Sequence, residues 1–181
     1  EIPYKQQMME TAVFAAGCFW GVQHYLDIEP GVVETTVGYI GGDQINPTYK
    51  QVKSHKTGHV EAVKVIFDPE KTSYETLCKL FFEIHDPGQL DGQGPDIGPQ
   101  YLSGIFFCNE EQKECAEKLI KTLRRLGHEC NTFLAPFTPV IDTDTPVEEI
   151  FWRAEEYHQH YYAQKGTSPY CHFRVKKFIN P

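Results

Sequence analysis

The chain lacks an excess of positive charge, a long apolar run and any C-x-x-C pair, and each absence removes a class of function. Its 17 Lys and Arg stand against 25 Asp and Glu, giving a formal net charge of −8 and an isoelectric point near 5.5. General binders of phosphate backbones carry the opposite balance, so no nucleic-acid partner is expected. The longest apolar run, Ala12 to Val22, falls short of the roughly 20 residues that cross a bilayer, so no membrane span is expected. Glu10 interrupts the approach to that run, which also argues against a signal sequence. Without C-x-x-C spacing, Cys18, Cys78, Cys108, Cys115, Cys130 and Cys171 do not suggest structural zinc. A chain of 181 residues does not depend on disulfide staples either. A start at Glu1 in place of methionine points to a processed chain or a piece of a longer one. A cytoplasmic location is the expectation.

What is present supports one core. With 40% hydrophobic residues, residues 1–181 read as a single domain. Helical and strand patterns alternate without repeats or low-complexity stretches. Thr11–Ala16, Val32–Tyr39, His59–Phe67 and Gly104–Cys108 read as strands. A helix is expected from Phe19, another from a Thr72-x-x-Glu75 capping box to His85, and a third from Asn109 to Gly127. Thr145-Pro146-Val147-Glu148 predicts a last long helix reaching Tyr162. Residues 41–58 and 87–104 are rich in glycine and proline and read as long irregular loops. The pattern fits one α/β or α+β domain, helices packed on a small sheet.

Chemistry concentrates where Gly17 turns the chain between the first strand and helix. Cys18 stands at that junction, where unpaired first-turn amides and the macrodipole favour a thiolate. The alternative is a small buried hydrophobe. Alternation along the third strand places Glu61 on the face of Val63, Val65 and Phe67. A carboxyl buried there stays protonated and becomes a proton donor; near a strand end it would instead reach solvent or a lysine. Tyr49 sits on the first long loop, Asp96 and Tyr101 on the second. The stripe Val147, Ile150, Phe151, Ala154, His158, Tyr161 places a histidine and a tyrosine among apolar residues, as a core histidine would be. The group His158, His160, Cys171 and His172 follows no recognised zinc spacing, and no metal or cofactor is expected.

These residues also form an ordered set of motifs. Gly17-Cys18-Phe19-Trp20-Gly21, Gly38-Tyr39-Ile40-Gly41-Gly42, Asn46-Pro47-Thr48-Tyr49, Gly58-His59-Val60-Glu61, His85-Asp86-Pro87, Asp96-x-x-x-x-Tyr101 and Glu156-Tyr157-His158-Gln159 resemble the A-type peptide methionine sulfoxide reductases. The resemblance covers roughly residues 11–171. It implies an α+β fold, a two-layer, ferredoxin-like plait with a small mixed sheet, and reduction of methionine-S-sulfoxide, free or in oxidised proteins. It further implies that Cys18 attacks the sulfoxide sulfur and becomes a sulfenic acid. Phe19 and Trp20 would wall the methyl site, while Glu61, Tyr49 and Tyr101 would hold and protonate the oxygen. Asp96, His158 and Tyr161 would line or support the pocket. Cys171 would form a disulfide with Cys18, which thioredoxin reduces. Gly88 and Pro169 stand where threonine and glycine are usual in the family. The competing readings are a thiol hydrolase or acyltransferase pairing Cys18 with His59 or His158, and a non-catalytic binding module.

Overall fold

A computed structural model describes residues 8–179. Strand β1 (Glu10–Ala16) is buried from Ala12 onward, which accounts for its unbroken apolar sequence. Gly17 turns the chain with a φ of +89°, a conformation glycine adopts without steric cost, and α1 (Phe19–Asp27) follows directly. Next come β2 (Val32–Ile40), a short α2 (Tyr49–Lys53), β3 (Val60–Phe67) and α3 (Tyr74–Glu83). The second long loop holds the two-residue strands β4 (Gly92–Gln93) and β5 (Asp96–Ile97) and a 3-10 turn, Pro99–Tyr101. Strand β6 (Ser103–Phe107), α4 (Glu110–Arg125), β7 (Phe133–Pro136), β8 (Trp152–Arg153) and α5 (Tyr161–Lys165) complete the regular elements.

One six-stranded sheet runs in the order β7-β6-β1-β3-β2-β8. All its pairs are antiparallel except β6 with β7, so the sheet is mixed and the class is α+β. Alternation along the strands sorts their side chains to two faces. Phe14, Val63, Val65 and Phe67 join Phe19, Val22 and Leu26 of α1, Leu77 and Phe81 of α3, and Leu119 and Leu123 of α4 in the larger core. Val13, Ala15, Ala62 and Phe106 face the other way, covered by Phe133, Phe137 and Phe151. Among the described residues no helix is long and apolar enough to cross a membrane.

Four local expectations are corrected. The α3 cap is Ser73, whose Oγ accepts from the Thr76 amide at 3.1 Å, and not Thr72. The Thr72 amide is committed to the Asp68 carbonyl in the preceding turn, delaying the helix by one residue. The loop 41–58 contains α2, closed by a Thr48–Gln51 capping box. A strand not anticipated, β7, extends the sheet beside β6.

The long final helix does not form. Residues 145–162 make 3-10 turns at Val147–Glu149 and Glu156–His158 around β8. Thr145 is occupied with Asp142, not with a helix start. The edge of β2 overrides helical periodicity here: Arg153 and Trp152 pair with Gly38 and Tyr39, and the Ala154 amide donates to the Val37 carbonyl at 3.0 Å. Gly38 makes that approach possible, since a Cβ there would lie 2.4 Å from the Trp152 carbonyl. Ile150, Ala154 and His158 are still buried, through an irregular path.

After α5 the chain lies without regular structure across the end of α3. The Glu83 carboxylate receives Arg174 at 2.9 Å and the Lys177 amide at 3.0 Å, and Val175 donates to the Glu83 carbonyl. The Lys177 ammonium bonds the carbonyls of Phe82 and His85, satisfying acceptors at the helix C-terminus.

Candidate active site

Cys18 is the N-cap of α1, and its side chain makes no capping bond. It is 7% exposed. The strand parity that aims Glu61 at the larger core also brings it beneath the start of α1, where the Phe19 amide donates to the Glu61 carboxyl at 3.1 Å. Glu61 is 1% exposed and has no cationic partner among its described contacts. Burial dominates its titration: it pushes the carboxyl up to about 8 against the Phe19 amide, with Asp96 and Cys171 adding to the rise. At neutral pH this is a protonated, neutral acid.

The thiol of Cys18 departs from expectation. A hydrogen bond with Cys171, then burial, then Glu61 hold it well above the ordinary thiol range, while the Trp20 amide acts the other way. The first-turn amide that favours thiolate is present but outweighed, so the resting Cys18 is protonated. Cys171 shows the opposite behaviour: the bond from Cys18, opposed by burial and aided by His172, brings it down to about 6. Each thiol shifts the titration of the other, so the two cysteines are neighbours in the reduced protein. The segment carrying Cys171 lies across the site before any oxidation.

Tyr49 opens α2, and its amide donates to Glu155 at 2.9 Å. Tyr101 ends the 3-10 turn that follows β5. Burial, Glu61 and Cys18 all raise Tyr49, to about 12; burial, Glu61, Tyr49 and Cys18 raise Tyr101. Both phenols stay protonated and able to donate, within electrostatic reach of the acid and the thiol. Asp96 acts on Glu61 and Tyr101 and accepts from the Tyr170 hydroxyl at 3.2 Å. Phe19 is buried against Tyr39 and His158, 5.7 and 5.2 Å between ring centroids. Trp20 is half-buried, stacked on Tyr161 at 3.8 Å, and its Nε1 donates to His158 Nδ1 at 3.0 Å. His158 is fully buried, pushed down in pKa by burial, and stands 4.5 Å from the Tyr49 ring. It braces Trp20 and Tyr49.

The other histidines disperse onto separate partners. His160 pairs with Asp27. Nδ1 of His59 accepts from the Gly42 amide, and its Nε2 bonds the Gln44 carbonyl. Neither His59 nor His158 makes a hydrogen bond with Cys18, so the dyad that a thiol hydrolase needs is not assembled. Cys78 and Cys130 are buried, the latter in a loop where Arg124 bonds its carbonyl and Thr132 its sulfur. Sequence reasoning passed over Tyr170, Glu155 and the specific contacts of His172; adjacency to Cys171 was the one available signal for His172.

The comparisons agree with this geometry. A family model described as peptide methionine sulfoxide reductase matches residues 10–181. A peptide methionine sulfoxide reductase MsrA of Methanosarcina mazei is 49% identical over 158 residues, 87% of this chain and 71% of that protein. The crystal structure of Saccharomyces cerevisiae Mxr1 in reduced form is similar, with a TM-score of 0.78 and 29% identity over 96% of each chain. Mxr1 solved in complex with Trx2 gives a TM-score of 0.53 at 22% identity, covering 85% of this chain and 96% of that one, a likeness of fold alone. A thiol beside a neutral buried acid, on a chain matched almost end to end, leads to one conclusion: this protein belongs to the peptide methionine sulfoxide reductase family, and it is an oxidoreductase that reduces methionine sulfoxide with thiols.

Proposed function

We propose that Cys18 takes the oxygen of methionine-S-sulfoxide, free or within oxidised proteins, with Glu61 as the acid. The observation that carries this is the protonated Glu61 carboxyl, buried beneath the amide that follows Cys18. Oxygen is a poor leaving group until protonated, so a neutral acid is what the reaction requires. Glu61 gives its proton to the sulfoxide oxygen while Tyr49 and Tyr101 donate hydrogen bonds to it. The carboxylate that remains receives the Cys18 proton as the sulfur attacks, which resolves the apparent conflict of a nucleophile held as a thiol. In the balance, oxygen moves to the Cys18 sulfur, methionine leaves, and Cys18 becomes a sulfenic acid, oxidised by two electrons. Glu61 ends protonated.

Phe19 and Trp20 offer an aromatic wall for the methyl group, with His158, Tyr161 and Asp96 supporting the pocket. Fixing both the oxygen and the methyl of a chiral sulfur selects one epimer. Cys171 then displaces the oxygen as water and forms the Cys18–Cys171 disulfide. Thioredoxin is the reductant in this reading, consistent with the complex solved for Mxr1. A thiol cycle of this kind suits a reducing, cytoplasmic setting. We read residues 1–181 as one domain with a ferredoxin-like plait core. The order β6-β1-β3-β2, with α1 and α3 as crossovers, supports that reading.

Incubation with each epimer of methionine sulfoxide and dithiothreitol, following free methionine, tests the proposal. The S epimer is expected to turn over and the R epimer not. Equal reduction of both, or no methionine from either, would overturn it.

A further inference from the structure

The residue after the second cysteine is held in an unusual way. His172 is 2% exposed, although it belongs to an irregular segment near the chain's end. Its Nε2 lies 2.7 Å from the Ala16 carbonyl oxygen at the end of β1. A carbonyl only accepts, so Nε2 carries a hydrogen and fixes the tautomer. Nδ1 is then the basic nitrogen of the neutral ring, and it lies 3.1 Å from the Cys171 sulfur. The Tyr25 hydroxyl pins the His172 carbonyl at 3.1 Å. Space for the ring is built into α1: a Cβ on Gly21 would lie 2.3 Å from His172 Nδ1. Gly21 therefore admits an imidazole against the first turn of the helix that begins after Cys18.

We propose that His172 is the general base that ionises Cys171 for its attack on the oxidised Cys18, a catalytic role in the second half of the cycle. This rests on the proposed assignment of Cys18 and Cys171. Oxidation of Cys18 removes the thiol that most lowers Cys171 in the reduced protein and leaves His172 as its lowering partner. The thiol proton then moves from Cys171 to Nδ1, and the Cys171 thiolate attacks the sulfur of the Cys18 sulfenic acid. The S–S bond forms as the S–O bond breaks. The departing oxygen takes up one proton, made good from the His172 imidazolium, and leaves as water. Cys171 is oxidised and the Cys18 sulfenic acid reduced, so no external reductant or oxidant enters this step. The Nε2 bond to Ala16 stabilises the transient imidazolium, much as a carboxylate or carbonyl orients a catalytic histidine elsewhere.

Several other groups bear on this thiol and its base. Cys18 and Asp96 act on Cys171, and Cys171 in turn acts on Glu61, Tyr162 and Tyr170. On the far side, His85 senses His172. A pH profile must therefore be read against a variant.

The test is rapid-mix kinetics on the full chain with one equivalent of methionine-S-sulfoxide. Methionine release is followed separately from loss of the Cys18 sulfenic acid by disulfide closure. His172→Gln keeps an amide donor for Ala16 but has no basic nitrogen. At pH 6.5 its closure rate is expected to fall about 100-fold relative to release, the scale of one general base. That deficit should shrink toward pH 9.5, as Cys171 ionises unaided. A deficit equal at every pH would show packing alone and overturn the proposal, as would a closure rate like the unaltered protein's. Should His172→Gln fail to fold, Cys18→Ser provides the second measurement. Cys171 in that variant should react with iodoacetamide at pH 6.5 at least tenfold faster than the same thiol in the urea-unfolded chain, and an equal rate would overturn the proposal. Loss of methionine release in the unaltered protein would instead refute the Cys18 assignment.

Discussion

At the level of single residues, the proposed reaction turns on Cys18 and Glu61, and both hold protons at rest. Cys18→Ser replaces the soft nucleophile with a hydroxyl of similar size in a buried N-cap position. Turnover should vanish while the melting temperature moves by only a degree or two, checked by methionine release and calorimetry. Glu61→Gln keeps a hydrogen-bonding group near the Phe19 amide and removes the proton. Substrate binding should survive better than rate, which should fall by about 10² to 10⁴. The same substitution has a signature in stability. The folded carboxyl titrates near 8 and the unfolded one near the usual 4.3. Below the unfolded value both states are protonated; between the two values the unfolded chain alone ionises. Stability conferred by Glu61 is thus lost as pH rises, at up to about 1.4 kcal/mol per pH unit. The melting temperature of Glu61→Gln relative to the unaltered protein should climb from pH 5 to pH 8 and then level off. A constant difference would mean that Glu61 titrates normally.

At the level of elements, the sequence was legible where a segment's own pattern and its tertiary setting agree. Strands β1, β2 and β3 carry apolar content that matches their burial, and Asn109 and Gly127 mark the ends of α4 with correct cap chemistry. The parity of β3 put Glu61 on the apolar face but left an escape to solvent or a lysine at the strand end, which burial closes, and the Gly17 turn put Cys18 at the helix start without deciding its state. Residues 145–162 were not legible, because a free edge on β2 and the missing Cβ of Gly38 outweigh a helical stripe. Helix α2 is five residues long and too short to show a period. The protonation of Cys18 depends on Cys171, 153 positions away, which no local pattern reveals. The strap formed by residues 174–177 gives this scale its own prediction. Glu83→Ala removes the acceptor for Arg174 and the Lys177 amide, costing about 2 kcal/mol by denaturant unfolding. Because that strap continues the segment bearing Cys171, disulfide closure should slow more than methionine release. Equal slowing of both would place the strap outside recycling.

At the level of the whole molecule, one sheet supplies the proposed acid from β3, while the helix it supports opens just after the proposed nucleophile. An irregular terminal segment then brings a second thiol to the same point. The long loops contribute Tyr49, Asp96 and Tyr101, so no single element holds the proposed chemistry and its assembly depends on the complete fold. Cys18 and Cys171 already act on one another in the reduced protein, so closure is expected to need little motion once oxygen has been transferred. Peptide mapping after one equivalent of methionine-S-sulfoxide, with free thiols alkylated on quenching, examines this arrangement most directly. The expected product is one disulfide joining Cys18 to Cys171, with Cys78, Cys108, Cys115 and Cys130 all alkylated. A bond from Cys18 to Cys115 or Cys130 with Cys171 alkylated, or a Cys18 that remains alkylatable after methionine has been released, would contradict it.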